Sequence, residues 1–371
     1  MKPINLKYDR VRYKAGDTKI LYSNLGEGSQ NLFVVSTPMQ LLSAIEAQKY
    51  FKTKNNVLII LFFLIRDGKN INQMFKLSEY FPYDKLITFQ NHKKNFLPFT
   101  RFLKEITSPF YQYVFFGYST FMYRRMIANL KYKKLYFIDD GVHTLTTHKQ
   151  VFNLDNKKLL KEFKPYPNVK LKHKLLRLGY KIKGYKIDIY LEDLNFFTLF
   201  NLTPYKNEEI IKHDFSHVRN LFYKEPIESQ TVYILGQPLT RAIGLASLLY
   251  LDYIKGIFDS YKDRKIVFVP HRTESIDELL RELIDSYKNV SILEIDEPIE
   301  LYFMYHNIYP KDIASFMTSA LFNLKVIFPH ADIKAFKIKL KSLSEFHQNN
   351  IQLIYDNYKK ENINLVELSN D

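Results

Sequence analysis

Short runs of apolar, β-branched or aromatic residues recur along this chain, and each is followed by polar or helically spaced sequence. This alternation constrains the fold more than any other feature. In the first half the runs are Asn31–Thr37, Val57–Ile65, Leu86–Phe89, Tyr113–Phe116 and Leu135–Ile138, with a helix expected over Met39–Tyr50. In the second half they are Val232–Leu235, Ile266–Val269, Val290–Ile295, Ile313–Phe316 and Val326–Phe328, separated or followed by helical patterns near Arg241–Phe258, Ser275–Tyr287 and Ile333–Tyr358. Strands apolar on both faces belong between layers of helix, which predicts parallel sheets in an α/β fold. A chain of 371 residues is longer than one compact core usually holds, so two Rossmann-like domains are expected. The polar, proline-containing stretch Tyr223–Gln230 marks the boundary. The expected organisation is an N-terminal extension over 1–30, a first domain over 31–225 and a second over 226–371 that ends in a long helix.

Hydrophobic residues make up 46% of the chain, enough for two cores and against disorder. The absence of cysteine excludes disulfides and thiolate metal sites and suits a reducing cytoplasm. Met1–Gln30 is polar and charged, unlike a leader peptide, and the longest apolar run, Val57–Ile65, is too short to span a bilayer. The formal charge of +15 favours anionic partners. Cations are densest between Lys157 and Lys186, where leucines interleave with them. That stretch reads either as an amphipathic element on the anionic inner face of a membrane or as a solvated basic face. No zinc-finger spacing, RNP-like motif or helix-turn-helix points to nucleic acid.

In doubly wound sheets ligands bind beyond the carboxyl ends of the strands, so polar residues just after apolar runs are the candidates for chemistry. Asp139-Asp140-Gly141 follows Leu135–Ile138, and a carboxylate there can take a proton from an attacking hydroxyl or simply make an Asx turn. Pro270-His271-Arg272 follows Ile266–Val269, where a planar guanidinium and an imidazole suit a phosphate; a surface loop is the alternative. Thr318-Ser319 opens a helical pattern after Ile313–Phe316 and forms either an anion site or an ordinary cap. Glu300 lies after Pro298, placed to accept from ribose hydroxyls or to sit in solvent on a first helical turn. Gly236, after Val232–Leu235, allows close backbone approach of a ligand or makes a plain turn.

In this order the segments resemble the bacterial sialyltransferases of glycosyltransferase family 52 and, more distantly, family 80. Asn31–Ala47 is similar to the family's first strand and helix, Asp139-Asp140-Gly141 to its acidic-acidic-glycine motif, Pro270-His271-Arg272 to its His-Pro motif, and Thr318-Ser319 to its hydroxyl pair. Here proline precedes His271 and Arg272 follows it. Leu239 and Thr240 stand where some members carry an aspartate.

The resemblance implies a GT-B fold with a cleft between the domains and a direct, inverting displacement of CMP that needs no metal and no other cofactor. Asp140 would be the base and His271 would assist the departing phosphate. Thr318 and Ser319 would hold that phosphate, Glu300 would bind the ribose and Gly236 would lie near the nucleotide, with Arg272 and Asp139 also counted among the donor- and substrate-binding residues. The donor would be CMP-sialic acid. The acceptor would be a galactose-terminated lipooligosaccharide or capsular glycan, reached from the cytoplasm at the membrane's inner face. A related transferase with a UDP-sugar donor, or a basic module binding lipid or RNA, are the alternatives. The sequence carries no signal for or against a homodimer.

Overall fold

The computed structural model describes residues 16–63, 68–91, 96–117, 121–153, 170–186, 194–205, 207–222 and 227–368. The chain divides into two compact units, 1–213 and 214–371.

The first unit is built on an eight-stranded sheet. Its strands are β1 (Thr18–Ser23), β2 (Gln30–Val35), β3 (Asn56–Phe63), β4 (Lys85–Asn91), β5 (Phe110–Phe116), β6 (Lys131–Ile138), β7 (Leu194–Thr198) and β8 (Ile210–Lys212), in the order β1-β4-β3-β2-β5-β6-β7-β8. All neighbours are parallel except β1, which runs antiparallel to β4. Helices α1 (Pro38–Phe51), α2 (Gly68–Ser78), α3 (Phe96–Thr107), α4 (Phe121–Asn129) and α5 (His143–Asn153) follow β2 to β6 in turn, and α6 (Lys170–Ile182) precedes β7. The central strands are apolar on both faces; Leu58, Ile59, Ile60 and Leu61 are fully buried. Helix α1 starts where the sequence supplies a cap: the Thr37 side chain accepts from the Gln40 N–H, and Pro38 opens the first turn.

The second unit carries β9 (Ile227–Leu235), β10 (Ile266–Val269), β11 (Val290–Ile292), β12 (Ile308–Ser315), β13 (Asp332–Phe336) and β14 (Asn364–Val366), in the order β11-β10-β9-β12-β13-β14. All pairings are parallel. Its helices are α7 (Ser216–Phe222), α8 (Leu239–Ile243), α9 (Ser247–Ser260), α10 (Glu278–Asp285), α11 (Ile299–Tyr305), α12 (Ser319–Ile327) and α13 (Glu345–Lys360). Each unit is a doubly wound sheet, parallel throughout except at β1, so the α/β class and the pair of Rossmann-like units stand as expected. The winding reverses between β2 and β5 in the first unit and between β9 and β12 in the second.

Several expectations change. Val326–Phe328 is the end of helix α12 and not a strand; the strand is Asp332–Phe336, inside the stretch expected to be helical from Ile333. A short apolar run fits a buried helix turn as well as a strand, and Leu321, Leu324 and Ile327 of α12 are buried at helical spacing. The helix expected over Arg241–Phe258 is two helices, broken at Gly244. Residues 1–30 are not only an extension, because Thr18–Ser23 and Gln30 join the sheet. The division after 213 lies upstream of the expected boundary. Helix α7 belongs to the second unit: Phe222 meets Tyr305 edge-on at 5.3 Å, and Arg219 donates to the Val326 carbonyl at 3.0 Å. Among the described residues no helix is long and apolar enough to cross a membrane.

Phe33 of β2 is fully buried, stacked on Phe115 at 4.5 Å and edge-on to Phe81 at 4.8 Å. Phe33→Ala should therefore destabilise the first unit by about 3–5 kcal/mol, read as a lower urea midpoint.

Candidate functional site

The carboxyl ends of the strands carry polar residues in both units. In the first unit, β6 ends in two adjacent acids with different surroundings. Asp139 is 1% exposed and accepts from the Thr198 hydroxyl at 2.6 Å and the Leu199 N–H at 2.7 Å, while His213 Nε2 lies 3.1 Å from its second oxygen. Its hydrogen bonds run to the ends of β7 and β8. Asp140 stands beside the start of α1, where the side chains of Gln40 and Thr37 donate to it. Burial, joined by the charge of Asp139, pushes its pKa up to about 6, against those two hydrogen bonds. Gly141 follows at φ +59°, a turn that a residue with a side chain adopts only under strain. The turn is locked from behind, because the Asp140 N–H donates to Thr144 Oγ1 at 3.1 Å.

Asp140 thus follows β6, the outer neighbour of β5, and lies beside the start of α1, the helix that follows β2. Gln40, which donates to it, also bonds the Gly117 carbonyl at the end of β5 at 3.3 Å. A carboxyl with a pKa near 6 is ionised at neutral pH yet basic enough to accept a proton in a transition state. His143 opens α5 nearby in sequence, and burial, then the charge of Arg124, lower its pKa, which keeps the ring neutral.

In the second unit the ends of β9, β10 and β12 are bound together. Gly236 is buried after β9, and its N–H donates to the Val269 carbonyl at 2.8 Å. Gln237 accepts from the Met317 N–H at 2.8 Å, and Ser315 donates to the Leu235 carbonyl at 2.7 Å. After β10 the chain turns through His271–Glu274, with the Glu274 N–H donating to the His271 carbonyl at 2.7 Å. The Glu274 carboxylate accepts in return from the His271 N–H at 2.9 Å and from the Tyr250 hydroxyl. Tyr250 accepts from the Gln237 N–H at 3.3 Å. Burial raises the pKa of Glu274. This carboxylate also fills the space beside Gly236, so a side chain there would collide with it and with Phe268.

His271 is half-buried, and burial together with Arg272 lowers its pKa. Its Nδ1 accepts from the Thr273 N–H at 3.2 Å. A backbone N–H can only donate, so the neutral ring carries its proton on Nε2 and keeps a donor there. Arg272 is exposed. Thr318 caps α12, accepting from the Ala320 N–H at 3.3 Å, and its carbonyl is held by the Tyr358 hydroxyl at 2.7 Å. Ser319 is the first helical residue, and both hydroxyl residues are half-exposed at the positive end of the helix. Glu300 is 3% exposed and accepts from Asn323 of α12 at 2.8 Å. It is thus neither a solvated helix acid nor open to a ligand, and burial raises its pKa.

Within the second unit Gly236, His271, Thr318 and Ser319 share the carboxyl edge of one sheet, while Glu300 is closed in behind α12. Within the first unit Asp140 is at such an edge and Asp139 is enclosed by the protein. Gln40, Gln237, Tyr250 and Glu274 carry these strand-end networks without having had a role assigned from sequence. Glu274 alone had a visible signal, lying three residues after His271 in the same strand-end segment. An open cavity of about 640 Å³ lies at the opposite, amino edge of the second sheet, lined by residues such as Gln230, Arg264, Lys311 and Asp312. Arg264 is paired with Asp312 at 2.7 Å there, and Asp332 with Lys334 at 3.1 Å. The size of that cavity does not make it the site, because no candidate residue reaches it.

No family model matches the chain, and no curated protein matches its sequence. Among solved structures, the chain is similar to E. coli heptosyltransferase WaaC with ADP, at 11% identity and a TM-score of 0.41, covering 90% of this chain and 98% of that one. It is similar to a putative UDP-N-acetylglucosamine 2-epimerase from Listeria monocytogenes, at 11% identity and 0.44, covering 91% and 90%. It is also similar to MurG of Acinetobacter baumannii, at 9% identity and 0.41, covering 93% and 87%.

Two outcomes follow from this geometry. A carboxyl whose pKa is raised on folding binds more protons folded than unfolded between about pH 4 and 6, so its cost to stability is absent in acid and complete above that window. Asp140→Asn should accordingly stabilise the protein at pH 7.5, by about 1–3 kcal/mol, and leave it nearly unchanged at pH 4, as read by urea unfolding at the two pH values. Gly236→Ala should displace Glu274 and cost about 1–3 kcal/mol through the donors left unmet on Tyr250 and His271, measured in the same way.

Proposed function

We propose that this protein is a glycosyltransferase that moves sialic acid from CMP-sialic acid to a galactose-type hydroxyl of a bacterial surface glycan, with inversion and without a metal. The observations that carry the reading are two strand-end chemistries, one within each unit. A carboxyl with pKa near 6 stands at the carboxyl end of β6 in one sheet. A histidine with a free Nε2 donor and a hydroxyl-capped helix start stand at the carboxyl edge of the other.

In this reading the acceptor hydroxyl oxygen attacks the anomeric carbon of the donor and its proton passes to Asp140. The bond from that carbon to the phosphate oxygen breaks, and the electron pair leaves with CMP. Thr318, Ser319 and the N–H groups that open α12 receive the phosphate, and His271 Nε2 donates to the oxygen that gains charge. Such preorganised donors are worth about 3 kcal/mol of barrier each. Arg272 adds charge at the same edge. Asp139 does not touch substrate; it holds the turn that presents Asp140. Glu300 reaches the ribose only if Asn323 moves aside. The four motifs that resemble family 52 support sialic acid as the sugar.

A nucleotide that binds only the folded state at a hundredfold excess over its dissociation constant stabilises it by about 2.7 kcal/mol. CMP in EDTA should raise the melting temperature, and UDP should not. Sialyl transfer to a galactoside should proceed in EDTA, rise with pH through about 6, and fall at least about a hundredfold in Asp140→Asn. Stabilisation by UDP alone would mean another sugar donor, and stabilisation by neither would end the transferase reading.

A further inference from the structure

Helix α6 has two apolar faces, and its packing uses only one. Tyr180 is buried, 4.8 Å from the ring of Phe96 and 6.3 Å from that of Phe99, with the Arg125 guanidinium 4.0 Å from its centre. Gly179 lies against Phe96 as well. At about 100° per residue, Leu175, Leu178 and Ile182 fall in a separate stripe roughly 60° wide. They are 60%, 53% and 77% exposed. A helix at the surface of a globular protein normally turns a polar face to water; this one turns large aliphatic side chains to it.

Exposed cations border the stripe at Arg177, Lys181, Lys183 and Lys186, and no acidic residue occurs between Lys170 and Lys186. Helix α3, against which α6 packs, repeats the combination. Its Leu97 is 54% exposed, and Arg101 and Lys104, four and seven residues on, are exposed too. Lys157 to Lys164, the upstream part of the basic stretch, lies outside the described residues.

We propose that the solvent-facing stripe of α6 is a docking surface for an anionic lipid bilayer. The aliphatic side chains enter the headgroup boundary, and the Lys and Arg side chains extend to the lipid phosphates. The net charge of +15 draws the whole chain to such a surface. A protein partner fits less well, because interface centres favour aromatic residues and disfavour lysine. RNA would use the cations but not the leucines. This surface needs no nucleotide and does not depend on the transferase reading.

The test is co-sedimentation of the full chain with vesicles of phosphatidylcholine alone or with an equal part of phosphatidylglycerol. The protein should pellet only with the anionic vesicles, and less so as salt rises. The triple variant Leu175→Gln, Leu178→Gln, Ile182→Gln should bind roughly tenfold more weakly with unchanged circular dichroism, as should Lys181→Glu with Lys183→Glu. No pelleting of the wild type, or equal pelleting of the leucine variant, overturns the proposal. So does a wild-type dimer in light scattering that the leucine variant converts to monomer, which would make the stripe a contact between copies. CMP stabilisation, measured on the same variants, should stay as in wild type and separates this outcome from the fate of the proposed reaction.

Discussion

The first unit's candidate site depends on one buried carboxylate. Removing a charged group from water is costly unless its lone pairs are met, and Asp139 meets that condition through Thr198, Leu199 and His213. Those partners belong to the ends of β7 and β8, so a single side chain holds three neighbouring strand ends together. The next residue inherits a fixed position. Asp140 cannot drift from the start of α1 while its neighbour is anchored, and the anchored charge helps to raise its proton affinity. Two adjacent residues of the same type thus do different work because their environments differ, one a tie and the other an acid near neutrality.

The second unit solves a similar problem with Glu274. It has no charged partner in the network described; a tyrosine hydroxyl and a backbone N–H satisfy it. Through Tyr250 it reaches the backbone after β9, and through His271 it closes the turn after β10. The carboxyl ends of β9 and β10, neighbours in the sheet, are joined by this one carboxylate.

What the sequence made legible follows from what burial writes into it. The strand Ile266–Val269 was readable to the residue because its apolar run is the whole strand. Strands β9 and β12 extend further back than read, into Ile227–Thr231 and Ile308–Asp312, where most residues are exposed or half-buried, no continuous apolar run marks the strand, and backbone pairing shows it. β13 stayed hidden because Lys334 interrupts its pattern, and β1 because it is a half-exposed edge. The strand-end positions of Asp140, His271, Thr318 and Ser319 could be read because polar residues directly after buried runs are conspicuous. Gln40 and Tyr250 could not, since both are helix residues that meet the strand ends only after the chain has folded. Asp139 looked like a ligand group because sequence shows adjacency and not which way a side chain turns.

The packing of Glu274 against Gly236 has an evolutionary consequence. Neither position is free to change alone. A side chain at 236 strands the donors that Glu274 satisfies, while a smaller residue at 274 leaves those donors facing a void beside a glycine that Phe268 still crowds. Contacting residues of this kind show non-additive effects. Lineages descended from this sequence should therefore exchange the two together or keep both, and a sequence found with one altered should carry a compensating change at Tyr250 or in the turn from His271.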